Sequence, residues 1–458
     1  MTETANTSRP LYLQGHLAPV PDEIDAVELD VTGSLPAELT GRYFRNGPNP
    51  RPGEDPGHWF AGHGMLHGLR LRDGRAEWYR NRWVRTKSME GGAEYVRPDL
   101  SVDLAAVPAN THVIPCGDRI LALVEAGLPY EISPELETLG PVDFGGRLTT
   151  AMTAHPKLHP LTGELHFFGY GFFPPYLTYH RLSAAGELVE SRVIDVPGPT
   201  MAHDFAITEN HVVWMDLPAV FDLSLAGTGM PVRWDDAYGA RLGVMPRGGD
   251  VTWYDIDPCY VFHVSNARED QAGRIVLDAA RYSPADFNRI WSGIGGTADP
   301  AAAAAATGAA RLYRWTLDPA TGRATEEPLD DRPVEFPTLN DDRVGLGNRY
   351  AYAVTGSVTG PESDGDGIVK YDLPSGRATV HRLDDGLAAG EAVFVPAAGG
   401  TAEDDGWLLS IVSDRAGRGS AFVVLDATDV EAGPVATVRL PRRVPAGFHG
   451  SWIPDPQR

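Results

Sequence analysis

The chain has 458 residues, 42% hydrophobic and 22% charged, with a net charge of −23. That composition belongs to a folded globular protein and excludes global disorder, while the acidic balance argues against a nucleic-acid partner or purely electrostatic docking on anionic lipid. Two cysteines, Cys116 and Cys259, are too few for a disulfide framework or a thiolate metal site and fit a reduced compartment.

The segment from Met1 to Pro10 lacks the basic and apolar regions of a signal peptide, and no apolar run approaches membrane-spanning length, so the expected location is cytoplasmic. About residues 1–11 are expected as a flexible N-terminal arm. Beyond it, short β-rich runs alternate with turn clusters. Leu69 to Trp78, Arg311 to Arg323 and Val369 to Val380 each read as a hairpin, with Gly in the left-handed turn position between alternating polar and apolar residues. Glu125 to Pro134 and Pro218 to Arg241 fall between strand runs and are expected to build a cap over one face. The Ala-rich stretch Asp299 to Gly308 reads as a loop or a short helix. Many hairpins and few long helical periods make the chain all-β.

Four of the fourteen histidines stand in short apolar or Gly-rich settings far apart in the chain: His155, His203, His263 and His449. Neutral imidazole is the commonest protein ligand for divalent transition metals, and four nitrogens without thiolate suit iron, zinc, copper or nickel better than magnesium or calcium. For any single histidine a structural role is the competing reading. Interleaving Glu335 and Glu391 with the four gives steps of 48, 60, 72, 56 and 58 residues, about one marker per propeller blade. In a β-propeller the innermost strand of every blade lines one central channel, so distant residues converge on the axis. Continued over the full length, the step gives about seven blades and a single domain spanning residues 1–458. Glu125, Glu335 and Glu391 are available to accept the second N–H of metal-bound imidazoles; strand-edge salt bridges are the alternative.

Gly41-Arg-Tyr-Phe-Arg-Asn-Gly-Pro-Asn-Pro50, His58-Trp-Phe-Ala-Gly-His-Gly-Met-Leu-His-Gly68, Leu121-Ala-Leu-Val-Glu-Ala-Gly-Leu-Pro-Tyr130, Glu335-Phe-Pro and Glu391-Ala-Val-Phe-Val-Pro396 join the histidine motifs in one ordered series. Together they resemble the carotenoid cleavage oxygenases, from about Tyr12 to Trp452. The resemblance implies a seven-bladed propeller with a helical or loop cap. It implies one Fe(II) held by His155, His203, His263 and His449, with Glu125, Glu335 and Glu391 hydrogen-bonded to three of them. The implied activity is that of an oxidoreductase that uses O2 to cleave a C=C bond into two carbonyl products.

Two departures bear on substrate and site. His63 stands where the family's Gly-x-Gly-Met motif carries Asp; it reads as a turn residue or as a fifth ligand. Val124 stands where the lignostilbene-cleaving branch places a Lys before the first glutamate, and an aliphatic side chain cannot stabilise a phenolate. An apolar carotenoid or apocarotenoid is therefore the leading substrate. A stilbene-like alkene is the alternative, and a non-catalytic binding propeller the third reading. Trp59, Phe172, Phe173, Tyr176, Phe262, Phe448 and Trp452 are candidates for the walls of a substrate tunnel, with core packing as the competing role. Leu217 to Leu225 offers a short apolar segment for a weak, transient membrane contact. A monomer is expected.

Overall fold

The three hairpins form. Leu69 to Trp78 lies in the pair Gly64–Arg72 and Arg75–Trp83, whose turn holds Asp73 at φ 49° and Gly74 at φ 71°. Two successive left-handed residues give the turn a twist that matches the flanking strands. The other two join Arg311–Asp318 to Arg323–Thr338 and Gly367–Asp372 to Arg377–Arg382.

In the computed structural model, which describes residues 9–99, 101–225, 230–294, 308–356 and 366–455, such strands assemble into seven antiparallel blades. Five blades are separate sheets, and two more share the long strand Arg323–Thr338 in one seven-stranded path. The first blade is composite: Gly450–Pro454 pairs antiparallel with Gly41–Pro48, closing the ring with the last strand of the chain. Six inner-edge strands follow around the ring: His112–Cys116, Lys157–Leu158, Ala206–Ile207, Tyr260–Glu269, the second half of Arg323–Thr338, and Val393–Pro396.

The core is divided into wedges between neighbouring blades. Consecutive residues on one strand serve two wedges: Phe167 packs with Leu121 and Leu165 on one side, while Phe168 packs with Trp214 and Ile207 on the other. Leu408 and Leu409 divide in the same way. A blade covered on both faces reads as a continuous apolar run, because the period-2 alternation of a strand then points both ways into protein.

One further apolar cluster, Tyr12, Leu13, Leu17, Trp59, Ile294 and Phe448, lies outside the wedges and belongs to the cap. The cap also contains the helix Pro284–Ile294 and a two-stranded ribbon, Ala219–Phe221 with Val232–Trp234. Of the expected cap segments, Pro218 to Arg241 supplies that ribbon, whereas Glu125 to Pro134 enters a blade through the strand Tyr130–Ile132. Residues 1–8 of the expected N-terminal arm and 299–307 of the Ala-rich stretch lie outside the described residues. Leu11–Leu13 forms a helical turn whose Tyr12 and Leu13 are buried, so the chain is anchored by that point.

Candidate metal centre on the propeller axis

Six of the marker residues stand at the inner edges of six blades. His155 and His203 immediately precede the short strands Lys157–Leu158 and Ala206–Ile207, His263 lies within Tyr260–Glu269, and His449 precedes Gly450–Pro454. Glu335 lies in Arg323–Thr338, at a register shift in its pairing, and Glu391 precedes Val393–Pro396. Local bonds fix these positions. Thr153 Oγ1 accepts the His155 backbone N–H at 3.1 Å, and the His449 N–H reaches the Thr111 carbonyl at 3.1 Å. Buried Asp204 accepts the Val264 N–H at 2.8 Å and pairs with Lys157 Nζ at 2.8 Å, tying three neighbouring inner strands together.

The four imidazoles converge. His155 Nε2 and His203 Nε2 are 3.1 Å apart, and ligand atoms of His155, His203 and His263 all lie within 4.8 Å of one another. His449 completes the ring of four, with centroids 4.6 Å from His155 and 4.7 Å from His263. Three of the rings have their Nδ1 committed to a carboxylate. His203 pairs with Glu125, His263 Nδ1 with Glu335 Oε2 at 2.5 Å, and His449 Nδ1 with Glu391 Oε1 at 2.8 Å. A proton on Nδ1 leaves Nε2 as a free lone pair directed at the axis.

The acids are held in turn. Glu335 accepts the Phe336 N–H at 2.6 Å and Glu391 the Gly450 N–H at 2.9 Å. The Tyr170 hydroxyl donates to Glu125 at 2.8 Å. Burial raises the pKa of Glu335, but His263 outweighs it and the net shift is downward; Glu391 is lowered in the same way by His449. Burial lowers His155 and His449, whereas at His203 burial is outweighed by Glu125 and the shift is upward. Their histidine partners favour the charged forms of Glu335 and Glu391, which places buried negative charge behind the imidazoles. Imidazole nitrogens without thiolate, backed by carboxylates, fit a divalent transition cation.

An apolar cavity of about 300 Å³ ends on this centre, touching His203, His263, Glu125 and Glu335. Among the expected tunnel residues, Trp59, Phe262 and Phe448 line it. Phe172, Phe173, Tyr176 and Trp452 do not. Phe172 packs edge-on against Phe221 at 4.6 Å, Phe173 is 51% exposed, and Trp452 is turned into the wedge between the last and first blades. Val124 forms part of the wall.

Phe60, Tyr95, Ile290, Ile294 and Phe336 also line the cavity without having been singled out from the sequence. Ile290 and Ile294, four apart on one helix, carried a periodic signal; Tyr95 carried none. Phe336 stacks on His263 at 5.0 Å in a left-handed backbone conformation, φ 50°. His63 stands between the turn Trp59–Ala61 and the strand Gly64–Arg72, with its Nε2 3.6 Å from Glu54. In the apolar Leu217 to Leu225 segment, Leu217, Ala219 and Val220 are buried and Leu223 is exposed.

The family described as retinal pigment epithelial membrane protein matches residues 17–454. A carotenoid cleavage oxygenase of Mycobacterium tuberculosis is 40% identical, over 99% of both chains. Among solved structures, the lignostilbene dioxygenase of Pseudomonas brassicacearum is 29% identical over 98% of this chain and 100% of that one, with a TM-score of 0.85. Cobalt-substituted apocarotenoid oxygenase of Synechocystis is 29% identical over 97% and 98%, with a TM-score of 0.82.

Proposed function

The chain belongs to the carotenoid cleavage oxygenase family and is a carotenoid cleavage dioxygenase; we propose that it acts through an iron(II) ion held by His155, His203, His263 and His449, on a carotenoid or apocarotenoid lying in the apolar cavity. The observation that carries this reading is the meeting of two features: a cavity with aromatic walls ends on His203 and His263, two of the four converging imidazoles. Bound there, the ion would supply the activation of O2, and the overall reaction breaks one C=C bond and places one oxygen atom on each carbon.

The chain's own residues have three tasks. Glu125, Glu335 and Glu391 hold the Nδ1 protons of His203, His263 and His449, which keeps three Nε2 lone pairs aimed at one point. Trp59, Phe60, Phe262 and Phe448 bury a conjugated chain and keep bulk water from it. Val124, beside Glu125, presents a methyl surface where a phenol oxygen would need a cation; this favours a polyene over a hydroxystilbene.

The functional unit under this proposal is the whole ring, residues 1–458, acting as a monomer in the cytoplasm. Among the described residues no helix is long and apolar enough to cross a membrane. Exposed Phe173 and Leu223 are the side chains offered for a transient membrane contact. The test is to purify the protein anaerobically, measure its iron, and supply O2 with an apocarotenal and separately with resveratrol. Iron binding with aldehyde products from the apocarotenal is the expected result. Iron-free protein that yields no product from either substrate would overturn the proposal.

A further inference from the structure

Among the described residues three of the four imidazoles have a carboxylate on Nδ1, and His155 has none. The blade that contributes no marker to the axis has a fifth histidine at its inner edge. His112 opens the strand His112–Cys116, and its ring lies 5.0 Å from His449 and 6.3 Å from His155.

His112 Nδ1 bonds the carbonyl oxygen of Ala154 at 2.9 Å, on the residue directly before His155. A carbonyl can only accept, so Nδ1 carries the proton, and in the neutral ring Nε2 is left as the acceptor for the Ser451 hydroxyl at 3.4 Å. Ser451 lies two residues beyond His449. The backbone of His112 is itself pinned, its carbonyl accepting from Asn46 Nδ2 at 3.0 Å, and the neighbouring Thr111 carbonyl receives the His449 N–H.

We propose that His112 is a positioning residue for the metal centre, fixing the backbone that carries His155 and the ring of His449 in place of the carboxylate that His155 lacks. The proposal rests on the reading of the four histidines as ligands. One imidazole thereby joins three blades: its own, the one entered through His155, and the composite blade entered through His449. Ordinary packing would use the ring's area alone, whereas positioning depends on the Nδ1 donor, and the two roles separate by substitution.

His112→Leu keeps bulk and removes the donor; His112→Asn keeps a donor short enough to reach a neighbouring carbonyl. Fe(II) affinity is read by anaerobic competition with a coloured chelator, ligand-field geometry by the visible spectrum of the Co(II)-loaded protein, and folding by the melting temperature of the metal-free protein. His112→Leu is expected to bind Fe(II) about tenfold more weakly, in the range seen for outer-shell partners, and to change the Co(II) bands. His112→Asn is expected to recover most of the affinity and the wild-type bands. Wild-type affinity and spectrum in His112→Leu would overturn the proposal. So would equal losses in both variants that follow a shared drop in metal-free melting temperature, because packing then accounts for the effect. His203→Ala serves as the control: if it keeps full iron, the ligand reading itself has failed.

Discussion

Replacing Glu391 by Gln changes one oxygen to an amide nitrogen in a site with two donors. Glu391 Oε1 takes the His449 Nδ1 proton at 2.8 Å and Oε2 takes the Gly450 N–H at 2.9 Å. The Gln amide can satisfy one of them. If its oxygen faces His449, its NH2 meets the Gly450 N–H, and a buried donor is left unpaired at a cost of about 1–3 kcal/mol. If the NH2 faces His449, the imidazole must move its proton to Nε2, the atom that would bind metal. The unpaired-donor cost agrees in size with the ten- to hundredfold loss typical when such a partner is replaced, about 1.4–2.7 kcal/mol. Anaerobic chelator competition on Glu391→Gln should show that loss. A competition curve that overlays the wild type would refute the reasoning and reduce Glu391 to a structural residue.

Chelation of the metal should lower the melting temperature, since a ligand that binds only the folded state at a hundred times its Kd contributes about 2.7 kcal/mol; calorimetry with and without Fe(II) checks this, and His203→Ala should show no such difference. Val124→Lys places an ammonium in the cavity wall beside Glu125; product chromatography should show apocarotenal cleavage reduced and hydroxystilbene cleavage gained. Glu269, hydrogen-bonded to Thr208, Asn210 and His211, is subject to a burial penalty that these bonds outweigh, lowering its pKa to about 2 from 4.5. Because the folded value is the lower one, its stabilisation is complete above the unfolded value and is lost as pH falls from 4.5 through about 2. Glu269→Gln should therefore flatten the fall in melting temperature across that window. Phe205→Ala, at a fully buried position two residues after His203, should destabilise the fold by about 3–5 kcal/mol, measured by denaturant unfolding.

Spacing was informative because a propeller converts a repeat in sequence into a circle in space. His155, His203, His263, Glu335, Glu391 and His449 recur at that repeat and occupy the inner edges of six successive blades. Glu125 lies off the repeat, in a turn after the strand Arg119–Leu123, and only the family motif pointed to it. His112 sits at the inner edge of the remaining blade, yet its neighbours Thr111 and Val113 gave no signal that would separate it from the other histidines. The tunnel walls were less legible. Phe448 and Trp452 lie four residues apart, one facing the cavity and the other an interblade wedge. Since both faces of a blade are buried, hydrophobicity cannot say which face a residue serves. Phe173 failed for the opposite reason, being aromatic but exposed.

The ring is closed by Gly450–Pro454 against Gly41–Pro48, and His449 directly precedes that closing strand. Three imidazoles can be in place while the chain is still an open arc, but the fourth arrives only with closure. Closure of the ring would therefore complete the proposed ligand set. Under the proposed ligand set, affinity for metal should rise when this strand pairs, a step that carries the loop-closure cost of joining segments separated by nearly the whole chain. A bound metal would then act as a clasp on the seam: opening the first blade would require giving up His449, so exchange of the backbone amides in Gly41–Pro48 should slow when iron is present.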